Sequence, residues 1–216
     1  MNFMCSKNMN EMKRSDIPKD SSEWDAYYQE TQIEKLPWYI TNLDHDLDNE
    51  IKSRNLSKGR FLDLGTGPGT QASQLAKRGF DVTGTDLSES AIEKAKKLSN
   101  EVNFVADDFL NSKLPDNGFD FIFDRGCFHL FDNSRRSNYL EQIKRILDKN
   151  GILFLKCMSI KEKELPKDDG PNRLSEQEIV DTFSNDFDID IIKETFFDGT
   201  LDFKPKAWFV VLKKKF

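Results

Sequence analysis

The sequence has few of the side chains from which metal sites and disulfide frameworks are built. Its 216 residues include only three cysteines and two histidines, namely Cys5, Cys127, Cys157, His45 and His129. The cysteines are widely separated and form no Cys-x-x-Cys pair, which excludes a zinc-ribbon pattern and a disulfide framework. Two histidines are also too few for a histidine-rich metal site, and we predict no metal site.

Long apolar runs and an excess of positive charge are missing as well. No stretch approaches the ~20 apolar residues of a membrane span, and the amino-terminal residues lack the apolar core of a secretion signal. We therefore expect a cytoplasmic protein that contacts no membrane. The formal net charge is −6, whereas affinity for nucleic acid depends largely on cations that neutralise phosphates. This balance disfavours a nucleic-acid partner, despite the short basic run at residues 213–215.

The chain divides by composition into a tail and one domain. Residues 1–20 are polar, mix both charges and show no apolar periodicity, which predicts a mobile tail. Residues 21–216 fit a single domain, and we expect a monomer. The domain begins with an aromatic segment, residues 22–40, whose large rings predict that it packs on the rest of the molecule. These rings are Trp24, Tyr27, Tyr28, Trp38 and Tyr39.

Strand and helix patterns alternate along the middle of the chain. The run 61–64 is short, apolar and bounded by glycines, which is typical of a buried strand. Ser88 and Asp132 are good helix caps, each followed by apolar residues at helical spacing. This alternation predicts an α/β domain with a parallel sheet covered on both faces. The predicted strands are 61–64, 80–85, 102–106, 119–123 and 152–155, and the predicted helices are 42–55, 70–78, 88–98 and 132–150.

The pattern changes after residue 160. A charged loop containing Gly170 and Pro171 leads to Ser175, which opens a capping box and predicts another helix. Two strand-like runs, 187–197 and 207–212, finish the chain. Because their connection is short, we predict an antiparallel pair at the carboxyl-terminal end of a mostly parallel sheet.

A glycine-rich turn, Asp-Leu-Gly-Thr-Gly-Pro-Gly over residues 63–69, follows the first predicted strand. Ligands of open α/β sheets bind beyond the carboxyl ends of strands, where glycines let them approach the backbone and helix N–H groups. The dinucleotide fingerprint requires a glycine at position 70, where this chain has Thr70. That difference, and the lack of a Tyr-x-x-x-Lys pair after the fourth strand, disfavour a nicotinamide-dependent oxidoreductase.

Asp86 closes the second predicted strand. An acidic residue about 20 residues after a glycine-rich turn accepts hydrogen bonds from both ribose hydroxyls of a bound cofactor. Nicotinamide enzymes share this feature, and a helix cap before Ser88 is the alternative. Asp86 therefore indicates a nucleotide-like cofactor without identifying it.

The spacing Gly-x-Gly-x-Gly, with an acidic residue two positions before the first glycine, resembles motif I of class I S-adenosylmethionine-dependent methyltransferases. The resemblance implies a doubly wound, Rossmann-like sheet and S-adenosyl-L-methionine as the cofactor, whose methyl group is transferred by in-line displacement. It also implies cofactor-binding residues around the turn and after the second strand, namely Asp63, Gly65, Gly67, Gly69, Asp86 and Leu87.

The end of the third strand carries two adjacent aspartates. In the family, an acidic residue here meets the adenine amino group, and a following apolar residue lies on the ring. Asp108 followed by Phe109 matches this arrangement best. Asp107 remains the alternative, because a slip of one residue along a strand exchanges the two faces.

The fourth strand ends in Asp-Arg-Gly-Cys-Phe-His over residues 124–129. It lacks the Pro-Pro-aromatic sequence of nucleic-acid amino methyltransferases, and Cys127 follows glycine rather than proline, unlike the nucleophile of carbon-5 enzymes. The Asp-Arg-Gly sequence is similar to that of thiopurine S-methyltransferase and of tellurite-resistance-like relatives. So are the segment ending Leu-Pro-Trp at Trp38 and the Gly-Pro loop at residues 170–171.

The subgroup resemblance implies a small-molecule acceptor, a thiol or another soft nucleophile, and a lid formed by residues 22–40 in which Trp38 meets the cofactor. Two candidate catalytic residues follow the fourth strand. Arg125 would hold the cofactor or an anionic acceptor, with a structural salt bridge as its alternative role. His129 would accept a proton, with simple packing as its alternative role, and neither His129 nor Cys127 belongs to the thiopurine pattern.

Other functions stay open at this point. The chain could methylate an oxygen or nitrogen of another small molecule, or it could bind S-adenosylmethionine without catalysis. A thiolate acceptor requires the least base catalysis, whereas a hydroxyl acceptor would need a base or a metal ion.

Overall fold

The structure, a computed structural model, describes residues 17–165 and 170–215. Most of the predicted mobile tail, residues 1–16, lies outside the described residues. The helices are α1 Ser21–Glu30, α2 His45–Ser53, α3 Thr70–Ala76, α4 Glu89–Leu98, α5 Asn133–Ile146 and α6 Glu176–Phe183. The strands are β1 Arg60–Leu64, β2 Asp81–Asp86, β3 Asn103–Ala106, β4 Phe119–Arg125, β5 Leu147–Met158, β6 Phe187–Phe196 and β7 Lys206–Lys214.

The seven strands form one sheet in the order β3-β2-β1-β4-β5-β7-β6. The first five strands of the chain pair in parallel, and β7 runs antiparallel to both β5 and β6. This confirms the predicted doubly wound α/β sheet with an antiparallel carboxyl-terminal pair. The direction of winding reverses between β1 and β4, where ligands of this architecture bind.

Alternating side chains along the strands build a core on each face of the sheet. Leu62, Ile122 and Leu153 lie in register on one face and pack with α5 and α6. Phe61 and Phe154 belong to the core of the opposite face, which α2, α3 and α4 cover. Burial of both faces explains why these strands are nearly continuous apolar runs.

Side-chain caps set the starts of several helices. Ser88 accepts a hydrogen bond from the Ala91 N–H, and Asp132 accepts from the N–H groups of Ser134 and Arg135. Ser175 and Glu178 form the predicted reciprocal capping box of α6. These caps satisfy N–H groups that have no partner within a helix.

Three predicted helices are shorter than the sequence pattern indicated. The helix expected over 42–55 is confined to His45–Ser53, the one expected over 70–78 ends at Ala76, and the one expected to end at residue 150 ends at Ile146. Leu147 already pairs with Phe119 as the first residue of β5. Apolar spacing alone misplaced this boundary, because Leu147 fits either a helix face or a buried strand. No helix of the described residues is long and apolar enough to cross a membrane.

Candidate functional site

A cavity of about 730 Å³ opens beyond the carboxyl ends of the parallel strands. Gly65, Asp86 and Asp107 line it at the ends of β1, β2 and β3, and Arg125 lines it at the end of β4. It therefore lies at the switch point of the sheet, where the glycine-rich turn was expected to bind a ligand. Its volume is within the range of ~300–1,000 Å³ that is usual for small-molecule sites.

The glycine-rich turn is held from behind by Asp63. Its buried carboxylate accepts hydrogen bonds from Thr66 Oγ1 at 2.5 Å and from the Ala72 N–H at 3.1 Å. Burial raises the pKa of Asp63 to about 7. Gly69 also lies behind the turn, where a Cβ atom would come within 2.7 Å of the Phe104 ring. Neither residue lines the cavity, so both shape the turn rather than face a ligand.

Gly67 lies at the tip of the turn, directly under the aromatic segment. Its φ angle is +54°, and a Cβ atom placed on it would lie 2.9 Å from Tyr28 Oη. Its N–H donates to Asp86 Oδ2 at 2.9 Å, and the Ser88 N–H donates to Asp86 Oδ1 at 3.0 Å. Asp86 therefore joins the turn to the end of β2, and desolvation raises its pKa to about 6.

The two aspartates after β3 differ in their partners. Asp108 Oδ1 accepts from the Leu110 N–H and its Oδ2 accepts from Asn111 Nδ2, so both oxygens serve a short turn. Asp107 Oδ1 accepts from the Lys113 N–H. Asp107 Oδ2 is buried and has no hydrogen-bond partner among the described residues. The side chain with an unused acceptor is thus Asp107, the alternative to the sequence preference for Asp108.

The residues after β4 are fixed by Asp124, which is completely buried. Its carboxylate accepts hydrogen bonds from the N–H groups of Gly126, Cys127 and Phe128, and from Tyr139 Oη at 2.7 Å. Burial raises its pKa to about 6. Four donors on one carboxylate give this turn a defined conformation, and Arg125, Cys127 and His129 therefore have fixed positions along the cavity wall.

The Arg125 side chain is only 6 % exposed, and its guanidinium is bound on three sides. Nε donates to Asp44 Oδ2 at 2.9 Å, Nη1 donates to the Trp38 carbonyl at 3.0 Å, and Nη2 donates to the Asp198 carbonyl at 2.6 Å. Asp44 also contacts Lys156, and neither of these side chains is exposed. The structural salt bridge, the alternative role for Arg125, is therefore present, and it connects the segment before β1 with the loop between β6 and β7.

His129 lines the cavity beside Gly126 and is 7 % exposed. Its Nδ1 accepts a hydrogen bond from the Met158 N–H at 3.0 Å. Burial and the neighbouring charge of Arg125 lower the pKa of His129 to about 3. The imidazole is therefore neutral, with its lone pair already bound, which is unfavourable for the expected role of proton acceptor.

The comparison with known proteins identifies the family. A model described as "Methyltransferase domain" matches residues 61–151, from β1 into β5. An uncharacterized methyltransferase of Schizosaccharomyces pombe is 38 % identical over 102 residues, which cover 45 % of this chain and 70 % of that protein. The chain belongs to the S-adenosylmethionine-dependent methyltransferases.

Two further relatives carry specific names. The chain is similar to a probable thiol methyltransferase 2 of Arabidopsis thaliana, with 28 % identity over 133 residues, covering 59 % of this chain and 58 % of that protein. It is also similar to a 2-heptyl-1-hydroxyquinolin-4(1H)-one methyltransferase of Mycobacteroides abscessus, with 29 % identity over 161 residues, covering 72 % and 70 %.

The fold itself is shared with a structure solved in work on the conversion of a disulfide bond into a thioacetal group during echinomycin biosynthesis. That structure has a TM-score of 0.78 and 24 % identity, and the match covers 90 % of this chain and 92 % of that chain. At this identity the likeness concerns the fold alone.

The cavity of this methyltransferase fits S-adenosylmethionine. The turn brings Gly65 and Asp86 to one end of it, and the unpaired Asp107 Oδ2 offers an acceptor for an amino group such as that of adenine. Leu87, Asp108 and Phe109 also line this end. These are the places that a ribose and an adenine would occupy in the arrangement that the sequence motif implies.

The aromatic segment of the methyltransferase packs over the same end. In α1, Asp25 Oδ1 accepts hydrogen bonds from Ser88 Oγ at 2.6 Å and from the Ser90 N–H at 2.9 Å. Trp24, Tyr28 and Trp38 form a cluster of aromatic rings and line the cavity. The segment therefore contacts both the turn and the start of α4.

Three residues at the start of α2, Asp44, His45 and Asp46, lie close enough together to share a metal ion. Cations of the protein already neutralise the two carboxylates. Lys156 Nζ lies 2.8 Å from Asp44 Oδ2 and 2.7 Å from Asp46 Oδ2, and Lys193 Nζ lies 3.1 Å from Asp46 Oδ1. The carboxylates of Asp44 and Asp46 therefore belong to an ion-pair network with Lys156 and Lys193, which accounts for their proximity without a metal ion.

Sequence reasoning did not find the partners of Arg125. Asp44 and its second cation, Lys156, are separated by 112 residues, and a lone lysine in the apolar run directly after the predicted strand 152–155 was the one signal available. A charged side chain at an inward-facing strand position generally requires a buried partner.

Proposed function

We propose that this methyltransferase transfers the methyl group of S-adenosylmethionine to a small-molecule acceptor, and that the acceptor is a thiol or another soft nucleophile. The observation that carries the proposal is a group of apolar residues, called here the apolar wall, that line the same cavity as the proposed cofactor residues. This wall consists of Phe131, Met158, Leu165, Phe197, Leu201, Phe203 and Pro205. Such an apolar wall suits a small, partly hydrophobic molecule.

Each cofactor contact has a candidate among the chain's own residues. Asp86 would accept hydrogen bonds from the ribose hydroxyls, Asp107 would accept from the adenine amino group, and Trp38 would cover the cofactor from the lid side. Bound S-adenosylmethionine supplies an electrophilic methyl group on a sulfonium, so the protein mainly aligns the acceptor and excludes water.

The preference for a thiol follows from the lack of a proton acceptor among the two candidate catalytic residues. The neutral His129 uses its lone pair on the Met158 N–H, and Arg125 is paired with Asp44. Neither side chain is set up to take a proton from an acceptor. A thiol loses its proton near neutral pH, with a typical pKa of about 8.5, whereas most hydroxyl groups do not.

Methylation of an oxygen or nitrogen is the second candidate. The similarity to the hydroxyquinolinone methyltransferase favours it, because that relative covers more of this chain than the thiol methyltransferase does. An acidic N-hydroxyl would also arrive without its proton, so it would fit the same cavity chemistry.

A screen with radiolabelled S-adenosylmethionine tests the proposal. Aromatic thiols, thiopurines, hydrogen sulfide and an N-hydroxyquinolinone would be offered, with catechol and tRNA as controls. We expect the fastest transfer to an aromatic thiol and none in the matched variant Asp86→Ala. Faster methylation of tRNA or catechol than of every thiol would contradict the proposal. Binding of S-adenosylhomocysteine without transfer to any acceptor would instead indicate a non-catalytic binding protein.

A further inference from the structure

The tautomer of His129 is fixed by its backbone partner. Because the Met158 N–H is a donor, Nδ1 must offer it a lone pair, and the two atoms lie 3.0 Å apart. The neutral ring therefore carries its proton on Nε2. Burial and the charge of Arg125 hold the pKa of His129 near 3, so Nε2–H remains a donor at all physiological pH values.

The Nε2 atom, on the other side of the ring from Nδ1, lies next to Gly126. A Cβ atom on Gly126 would lie 3.1 Å from Nε2, so the absence of a side chain leaves this side accessible. Both residues line the cavity, and the structure gives Nε2 no hydrogen-bond partner among the residues it describes. His129 is thus a buried residue with an unpaired donor beside apolar residues of the cavity wall, such as Met158 and Phe197.

Several contacts prevent the ring from turning away. The ring Nδ1 accepts a hydrogen bond from Met158 at the end of β5, and the ring makes an edge-to-face contact with Phe197 at a centroid distance of 5.7 Å. The backbone carbonyl of His129 accepts from the Asn172 N–H at 2.9 Å, which fixes the backbone that carries the ring. The donor direction is therefore set before any acceptor enters, as a specificity-determining group requires.

We infer that the Nε2–H of His129 donates a hydrogen bond to the reacting atom of the acceptor and thereby selects acceptors that enter as anions, above all thiolates. An amine would bring its own N–H donors against this one and would be disfavoured. The inference rests on the proposed function and names a selectivity residue for it.

The electrons balance without a proton acceptor in the protein. The thiol loses its proton to solvent before transfer. One sulfur lone pair then accepts the Nε2–H, and another forms the new bond to the methyl carbon. The bond from that carbon to the sulfonium breaks with its electron pair remaining on the departing sulfur. His129 keeps its proton throughout, so its role is recognition and positioning.

Two substitutions separate this donor from the structural role of the ring. In His129→Asn the amide oxygen takes the place of Nδ1 and still accepts from Met158, but no donor reaches the position of Nε2. In His129→Gln the longer side chain returns an N–H to that position. Glu141→Gln, on the exposed face of α5, is a matched control for handling and expression.

The readout is calorimetric binding of 4-nitrothiophenol, which is ionised at neutral pH, to the complex with S-adenosylhomocysteine. A hydrogen bond to a charged group predicts that His129→Asn weakens this binding at least about 10-fold. We expect His129→Gln to recover most of that loss. The affinity for S-adenosylhomocysteine should stay as in the parent protein for both variants, whereas both melting temperatures should fall, because neither side chain fills the place of the buried ring.

Turnover with the same thiol and with aniline completes the test. We expect His129→Asn to slow methylation of the thiol more than methylation of aniline. The ratio of the two turnover rates should therefore fall. Thiol binding and turnover unchanged in His129→Asn would overturn the inference while leaving the proposed function intact. A parent protein that binds S-adenosylhomocysteine but methylates no thiol would overturn both.

Discussion

Lys156 Nζ lies 2.8 Å from Asp44 Oδ2, and both side chains are completely buried. Although burial alone would raise it, the pKa of Asp44 is held below its usual value by Lys156 and Arg125. Asp44 also accepts a hydrogen bond from Arg125 Nε, and Arg125 lines the cavity. The integrity of the pair of Lys156 and Asp44 should therefore matter for both stability and cofactor binding.

Lys156→Met should be strongly destabilising, because it leaves the buried Asp44 with one cation instead of two. Removing one partner of a buried pair typically costs about 3–5 kcal/mol. Lys52→Met removes an exposed lysine 2.7 Å from Asp48 and should cost less than about 1 kcal/mol. Urea unfolding of both variants gives the comparison. Equal costs would mean that the buried network contributes nothing specific.

Gly67→Ala should lower the affinity for S-adenosylhomocysteine at least about 10-fold, because the new Cβ meets Tyr28 and adds strain at a positive φ angle. Gly79→Ala is the matched control, with φ +91° and no atom closer to its Cβ than the Ser57 carbonyl at 3.7 Å. Calorimetry should show normal binding for Gly79→Ala and partial recovery in Gly67→Ala combined with Tyr28→Phe. Normal binding by Gly67→Ala alone would place the turn outside the cofactor site.

Asp107→Ala and Asp108→Ala separate the two aspartates after β3. A hydrogen bond to a carboxylate is worth roughly 1.5–3 kcal/mol, so loss of the unpaired Asp107 oxygen should weaken S-adenosylhomocysteine binding about 10-fold or more. Asp108→Ala should mainly lower the melting temperature, since its oxygens hold Leu110 and Asn111. The reverse ranking of the two dissociation constants would restore the sequence preference.

Asp63→Asn should change how stability depends on pH. A carboxyl with a pKa of about 7 in the folded protein binds its proton more tightly there than in the unfolded chain. Its contribution to the free energy of unfolding is greatest below about pH 4 and declines as the pH rises to 7. The asparagine keeps the acceptor for Thr66 and Ala72, so the variant should gain at least about 1 kcal/mol over the parent between pH 4 and 7.

Asp120→Asn should change stability in the opposite direction to Asp63→Asn, because the pKa of Asp120 is lowered rather than raised. Its hydrogen bonds with Arg60 lower the pKa of Asp120. The variant should therefore be less stable than the parent at pH 7, and the difference should vanish as the pH falls below about 4. Parallel stability curves for Asp63→Asn and the parent protein would refute a raised pKa at Asp63.

Asp25→Ala tests the proposal that residues 22–40 act as a lid. Loss of the contacts from Ser88 and Ser90 should free α1 and speed proteolysis of this segment several-fold. In the parent protein, S-adenosylhomocysteine should slow this cleavage and shift the fluorescence of Trp24 and Trp38. Glu30→Ala, at the exposed end of α1, is the control. Cleavage that ignores the cofactor would argue against a lid.

The sequence was informative where a structural feature depends on residues that are close together along the chain. The turn over residues 63–69, Asp86 and the alternation of strands and helices are contiguous patterns, and they predicted the sheet and the place of the cavity. Partners far apart along the chain left no such pattern. The pairing of Lys156 with Asp44, and the choice between Asp107 and Asp108, depend on how the backbone directs each side chain after the strands have packed.

The tautomer of His129 illustrates the same limit at the scale of one atom. Its neighbours in sequence, Phe128 and Leu130, indicate a packed ring but say nothing about which nitrogen meets a backbone N–H. That assignment comes from Met158 on a neighbouring strand. It is the basis for the proposal that His129 acts as a hydrogen-bond donor rather than as a proton acceptor.

The two sides of the cavity that we propose for the cofactor and for the acceptor share one wall. Arg125 binds the carbonyls of both Trp38 and Asp198, and the Thr200 N–H donates to the Pro37 carbonyl at 3.1 Å. A change in the length of the loop between β6 and β7 should thus also move Pro37 and Trp38, which line the cavity. With the lid and acceptor site that we propose, directed evolution of new acceptors will require paired changes in both segments.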